Sequence, residues 1–222
     1  DHGVPSALTL DLADWDKQDL LDRALAGTLD AGGAEAFRAQ MLTEMAGLSV
    51  EDGMVMQIHA GSRRNTDPTL MADRGPNLGA DIPGPTDYVA ALRPLLARYG
   101  SAEGFRLILF TLDETTYARE LAPMAGYWPA LMLGPPWWFF DSWNGIRRYF
   151  DQVIETAGLY NTAGFNDDTR AFLSIPARHD LWRRAAANWL AGLVVRKMID
   201  RTDAEEMAQE LAVGLARRAY RL

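Results

Sequence analysis

Cysteine is absent from the 222 residues, so neither a disulfide nor a thiolate metal site can form. Histidine is scarce: the chain has three, at positions 2, 59 and 179. An all-imidazole zinc site would require His2, His59 and His179 to converge, and their spacing offers nothing in favour of that. No apolar run approaches the roughly 18 residues of a membrane-spanning helix, and the opening does not read as a signal peptide. No basic stripe runs along any helical pattern, and the net charge is −8, so nucleic acid is not the expected partner. Neither a Gly-rich phosphate loop nor a Gly-x-Ser-x-Gly elbow is present. The opening Asp1-His2-Gly3 lacks an initiator methionine and reads as a processed or partial chain. A cytoplasmic enzyme is the resulting expectation, with no membrane partner.

The chain is 48% hydrophobic and 23% charged, an ordinary globular balance with enough length for one sizeable core. Its apolar runs are short and compact. Val55-Met56-Gln57-Ile58 precedes His59 and Gly61, and Phe105 to Thr111 is almost wholly apolar. Ala130 to Leu133 stops at Gly134-Pro135-Pro136, and Gly164-Phe165-Asn166 is a weaker fourth run. Runs that are apolar on both faces suit a parallel sheet covered by helices.

Helical spacing fills the intervals at 14–26, 34–48, 87–99, 115–125, 143–157, 179–198 and 204–217. Asp14, Thr86 and Asp203 are the expected caps. Alternating strands and helices predict an α/β fold with a parallel sheet of four strands, or five if the opening residues end another. A complete (β/α)8 barrel typically takes about 250 residues, so this chain has the dimensions of a partial barrel. The long Gly-, Pro- and Asn-rich interval between Gly61 and Asp87 predicts a functional or mobile loop.

Candidate chemistry gathers at the strand ends. His59 is followed by Arg63, Arg64 and Asn65, and guanidinium groups bind carboxylates bidentately. The plain alternative is a solvated basic turn. Asp167-Asp168-Thr169-Arg170 offers carboxylates able to ligate a metal or act as a base, with a helix cap and salt bridge as the plain alternative. Arg178-His179 reads as a helix-start pair without a ligand. Trp137-Trp138-Phe139-Phe140 cannot all face one core; some should line a cleft, where aromatic faces suit a sugar ring.

Taken in order, three segments resemble uronate (glucuronate) isomerase of the amidohydrolase superfamily. They are Met56 to Asn65, Trp137-Trp138-Phe139, and Asp168 to Ser174 with Arg178-His179 and Trp182-Arg183-Arg184. The resemblance runs over essentially the whole chain and implies a distorted (β/α)8 TIM-type barrel. It implies interconversion of D-glucuronate with D-fructuronate, and of D-galacturonate with D-tagaturonate. It also implies one divalent metal, often zinc, held by a His-x-His pair after the first strand and an Asp after the last.

Carried over residue by residue, Asp168 is the metal ligand and base, and His59 assists proton transfer or binds a hydroxyl. Arg64 and Arg170 hold anionic oxygens of the sugar acid, and Trp138, matching an aromatic in the loop after the seventh strand, joins Trp137 in binding the substrate. No His-x-His occurs here, so the resemblance is to a carboxyl-terminal half. On that reading 1–222 is a single portion of the barrel: a helical lead-in at 1–50, four βα units at 51–178 and terminal helices at 179–222. The partner would be a small sugar acid, with a homo-oligomer or a complementary amino-terminal half as a further expectation. The rivals are another metal-dependent hydrolase on the same barrel, and an inactive fragment or split half.

Overall fold

The computed structural model describes residues 2–169 and 171–222, the first two of these by backbone alone. Arg170 and Asp1 lie outside the described residues. The strands are β1 (His2–Gly3), β2 (Val55–Ala60), β3 (Ser62–Arg63), β4 (Ile82–Pro83), β5 (Arg106–Thr111) and β6 (Leu131–Leu133). The α-helices are α1 (Asp14–Leu25), α2 (Ala31–Asp52), α3 (Pro68–Arg74), α4 (Tyr88–Tyr99), α5 (Ala122–Tyr127), α6 (Trp143–Ala157), α7 (Ile175–Val195), α8 (Arg201–Gln209) and α9 (Leu215–Tyr220).

Four strands make one parallel sheet in the order β1-β2-β5-β6. The β2–β5 ladder runs from Val55 opposite Arg106 to Ala60 opposite Thr111, and β6 continues from Leu107 opposite Leu131. Side chains alternate between the two faces, as strand geometry requires. Met56, Ile58, Leu107, Leu109, Leu131 and Leu133 enter the large core beneath the helices. Ile108, Phe110 and Met132 turn to the other face, where Ala163 and Ala219 join them and Val55, Trp137 and Tyr220 pack alongside. Burial on both faces explains the near-continuous apolar runs.

Several sequence expectations shift. The fourth run, 164–166, is not a strand. Thr162 makes an isolated parallel bridge to Leu133, and Gly164 then takes φ +70°, which ends the extended path. The fourth strand of the sheet is instead β1, whose Gly3 lies opposite His59. The Gly61-to-Asp87 interval is not structureless. It holds α3 and an antiparallel β3–β4 ribbon pairing Ser62 with Pro83.

Helix caps move by one to three residues. Asp87 rather than Thr86 caps α4, and Asp200 caps α8 by accepting the Asp203 N–H. Helix α1 has Ala13 at its cap and no side-chain capping bond. The expected helix at 115–125 is a π-helical turn, Tyr117–Leu121, that runs into α5. A second π-turn, Glu210–Gly214, joins α8 to α9. No helix of the described residues is long and apolar enough to cross a membrane.

Candidate functional site: a polar pocket at the strand ends

A pocket of about 490 Å³ opens at the carboxyl ends of β5 and β6. The long β2-to-α4 interval contributes Arg64 and Asn77; β5 contributes Phe110. The turn after β6 supplies Pro135 to Trp138 and Asp141. The far wall is Asn166 to Thr169 with Arg178 from the first turn of α7. Of the sequence-derived candidates, Arg64, Trp137, Trp138 and Asp168 are therefore brought together.

His59 lies a layer deeper, near the end of β2 and 6% exposed. Its ring stacks on Phe110 at 4.0 Å with a 14° interplanar angle and meets the edge of Trp137 at 4.6 Å. Burial pushes its imidazole pKa down from 6.5 to about 4, with the Asp168 carboxylate pulling the other way. At neutral pH the ring is uncharged. Gly134 permits this stack, because a Cβ there would lie 2.5 Å from the Phe110 ring.

Asp168 is exposed, and its Oδ2 accepts the indole N–H of Trp137 at 2.8 Å. Its backbone is left-handed, with φ +42°, as are Asn65 at +54° and Phe139 at +74°. Non-glycine residues in that region are uncommon, and with Asn77 at +66° four of them line or adjoin this one pocket. The aromatic run divides: Trp137 and Trp138 face the pocket, Phe139 is 49% exposed, and Phe140 is buried against Tyr117.

The arginines are engaged. Arg64 Nη1 donates to Asp81 Oδ2 at 3.2 Å, and Arg178 Nη2 donates to Asp141 Oδ2 at 2.5 Å. Arg178 Nε also lies 3.9 Å from Asp167 Oδ2. Arg178 thus departs from the plain helix-start reading and becomes part of the wall. Sequence reasoning missed Asp81, Asp141 and Asn77. Asp141 carried a signal in closing the aromatic turn; Asp81 and Asn77, inside the Gly-rich interval, carried none.

The metal expectation meets a limit. Among the described residues no group of three His, Asp or Glu is placed to hold an ion. Asp168 is one donor, so these residues do not by themselves fit a metal. His179 packs its ring edge-on to Phe165 at 4.9 Å.

A parallel α/β sheet with a polar, aromatic-edged pocket at its strand ends places the chain among α/β proteins, a class whose ligand sites commonly lie at that end of the sheet. A sequence profile described as glucuronate isomerase matches residues 1–219, and the chain belongs to that family. The uronate isomerase of Sphingopyxis alaskensis is 57% identical over all 222 residues, which cover 47% of that relative. The Nostoc punctiforme uronate isomerase is 54% identical over the same residues, again 47% of its length.

The crystal structure of glucuronate isomerase from Caulobacter crescentus superimposes with a TM-score of 0.97 at 54% identity, covering 99% of this chain and 46% of that one. A uronate isomerase structure from Thermotoga maritima, 24% identical, shares the fold with a TM-score of 0.91. The chain therefore spans a little under half the length of the relatives it matches.

Proposed function

We propose that this chain carries the carboxyl-terminal part of a uronate isomerase site, acting in aldose–ketose isomerisation. The substrates are D-glucuronate, giving D-fructuronate, and D-galacturonate, giving D-tagaturonate. The observation that carries the reading is the family match over residues 1–219 together with one pocket that gathers Arg64, Trp137, Trp138 and Asp168. The four-stranded sheet is read as part of a (β/α)8 barrel of the amidohydrolase type, completed by chain outside these residues. A divalent metal, zinc by resemblance, would need donors from that same missing part, with Asp168 as this chain's ligand.

The chemistry moves a proton from C2 of the aldose to C1, while a hydroxyl proton passes from O2 to O1. Asp168 is the base, held toward the pocket by Trp137. His59, neutral and set behind Trp137, assists proton transfer without adding charge. Arg64, joined by Arg170, receives the substrate carboxylate, and Trp137 and Trp138 pack against the sugar. Two arginines face three aspartates among the described lining residues, so an anionic substrate depends on how each arginine is held.

Asp168→Asn, made in a polypeptide of the relatives' full length that carries this chain, should lose most turnover while folding normally. Wild-type turnover would sink the role. Given the share of the relatives that is covered, the chain assayed alone with zinc and D-glucuronate should show little or no turnover. Full activity there would overturn the need for the rest of the barrel.

A further inference from the structure

Asp81 keeps only 4% of its side chain exposed, although it lies in the long segment between β3 and β4. Burying a carboxylate is costly unless its oxygens find donors. Both do. Oδ2 accepts Arg64 Nη1 at 3.2 Å, and Oδ1 accepts the backbone N–H of Asn65 at 2.8 Å. Asn65 is left-handed, and its Oδ1 accepts the Asn77 N–H at 3.2 Å.

Thr66 N–H donates to Ala80 O at 2.6 Å, and Gly84 N–H to Gly61 O at 2.8 Å, on either side of the β3–β4 ribbon. The two limbs of the segment are therefore stitched together, with the Arg64–Asp81 pair as one rung. Arg64 itself is 48% exposed and makes no other hydrogen bond or ion pair among the described residues. Its remaining N–H groups are left for a ligand in the pocket it lines.

We propose that Asp81 is a positioning residue that fixes the Arg64 guanidinium at the pocket as the clamp for a sugar-acid carboxylate. This rests on the reading of Arg64 as a substrate-binding residue. Two effects of Asp81 oppose each other. Its negative charge weakens the field of Arg64 toward an anion, whereas its hydrogen bonds pre-set the guanidinium and remove the cost of ordering it on binding. The sign of a charge-removing substitution decides between them. Asp81→Asn keeps an acceptor for the Asn65 N–H but sets an amide NH2 against Arg64 Nη1, so the charge and the hydrogen bond that hold Arg64 are both lost.

The test measures uronate isomerisation in a polypeptide of the relatives' full length carrying this chain, with Arg64→Ala alongside. Asp81→Asn should raise the uronate KM about tenfold with kcat within about threefold of wild type, the pattern of lost uniform binding. An unchanged or lowered KM overturns the proposal, because Asp81 would then only be neutralising Arg64. If Arg64→Ala raises KM but Asp81→Asn does not, positioning fails while the Arg64 reading stands. If Arg64→Ala leaves KM unchanged, both fail. Should Asp81→Asn fold poorly by circular dichroism, Asp81→Glu decides. Its extra methylene displaces the guanidinium at constant charge, so a raised KM supports positioning and a wild-type KM overturns it.

Discussion

Leu107 and Leu109 point from β5 into the helical layer, whereas Ile108 and Phe110, their neighbours in the chain, point to the opposite face. All four are essentially buried, so exposure does not separate them. Composition of the surroundings does. The helical side is a continuous aliphatic and aromatic core. The opposite side is a small apolar group that gives way to His59, Trp137 and the polar pocket within one strand length. One face forms the main core, and the other leads to the candidate pocket at its end.

The largest effect expected is on the helical face. Leu109→Ala should cost about 2–5 kcal/mol of stability through lost burial and an unfilled cavity. Chemical denaturation measures it, and a loss below about 1 kcal/mol would break the contrast between the faces.

The opposite face should show its character through pH. The folded His59 pKa is depressed to about 4 from 6.5, so the unfolded state binds the proton first as pH falls. Stability should be complete above about pH 6.5, decline through the interval between the two values, and level off below about pH 4. The total amounts to roughly 3 kcal/mol. Denaturation at pH 7 and pH 4.5 of wild type and His59→Gln checks this; an identical pH slope in the two would remove His59 as the cause.

The smallest effect belongs to the pocket rim. Trp137→Phe keeps the ring against His59 but deletes the N–H given to Asp168. On the exposed Asp168 carboxylate the loss of stability should be about 1 kcal/mol. Turnover in the full-length context should fall more than stability does. A larger melting shift than catalytic loss would make Trp137 a packing residue rather than the one that orients Asp168.

Much of the frame was legible locally. β2, β5 and β6 coincide with the apolar runs, and α6 with the helical spacing at 143–157, because burial on one or both faces writes its period into the chain. Two caps slipped because polar neighbours compete, Thr86 beside Asp87 and Asp203 after Asp200, and only the backbone path selects between them. The run at 164–166 looked like a strand, but Gly164 turned it away.

The periodicities of the chain suffice for an α/β protein with buried parallel strands. The sequence also marked His59, Arg64, the Trp137-Trp138 turn and Asp168 as candidates near the strand ends, and all but His59 line one pocket. The side-chain pairings depend on contacts between distant parts of the chain. Asp81 reaches Arg64 across 17 residues, Trp137 reaches Asp168 across 31, and Arg178 reaches Asp141 across 37. No local period encodes such contacts. Arg64 meets Asp81 as the β3–β4 ribbon folds its own segment back, and the other two contacts form when the sheet brings separate loops together at its carboxyl end.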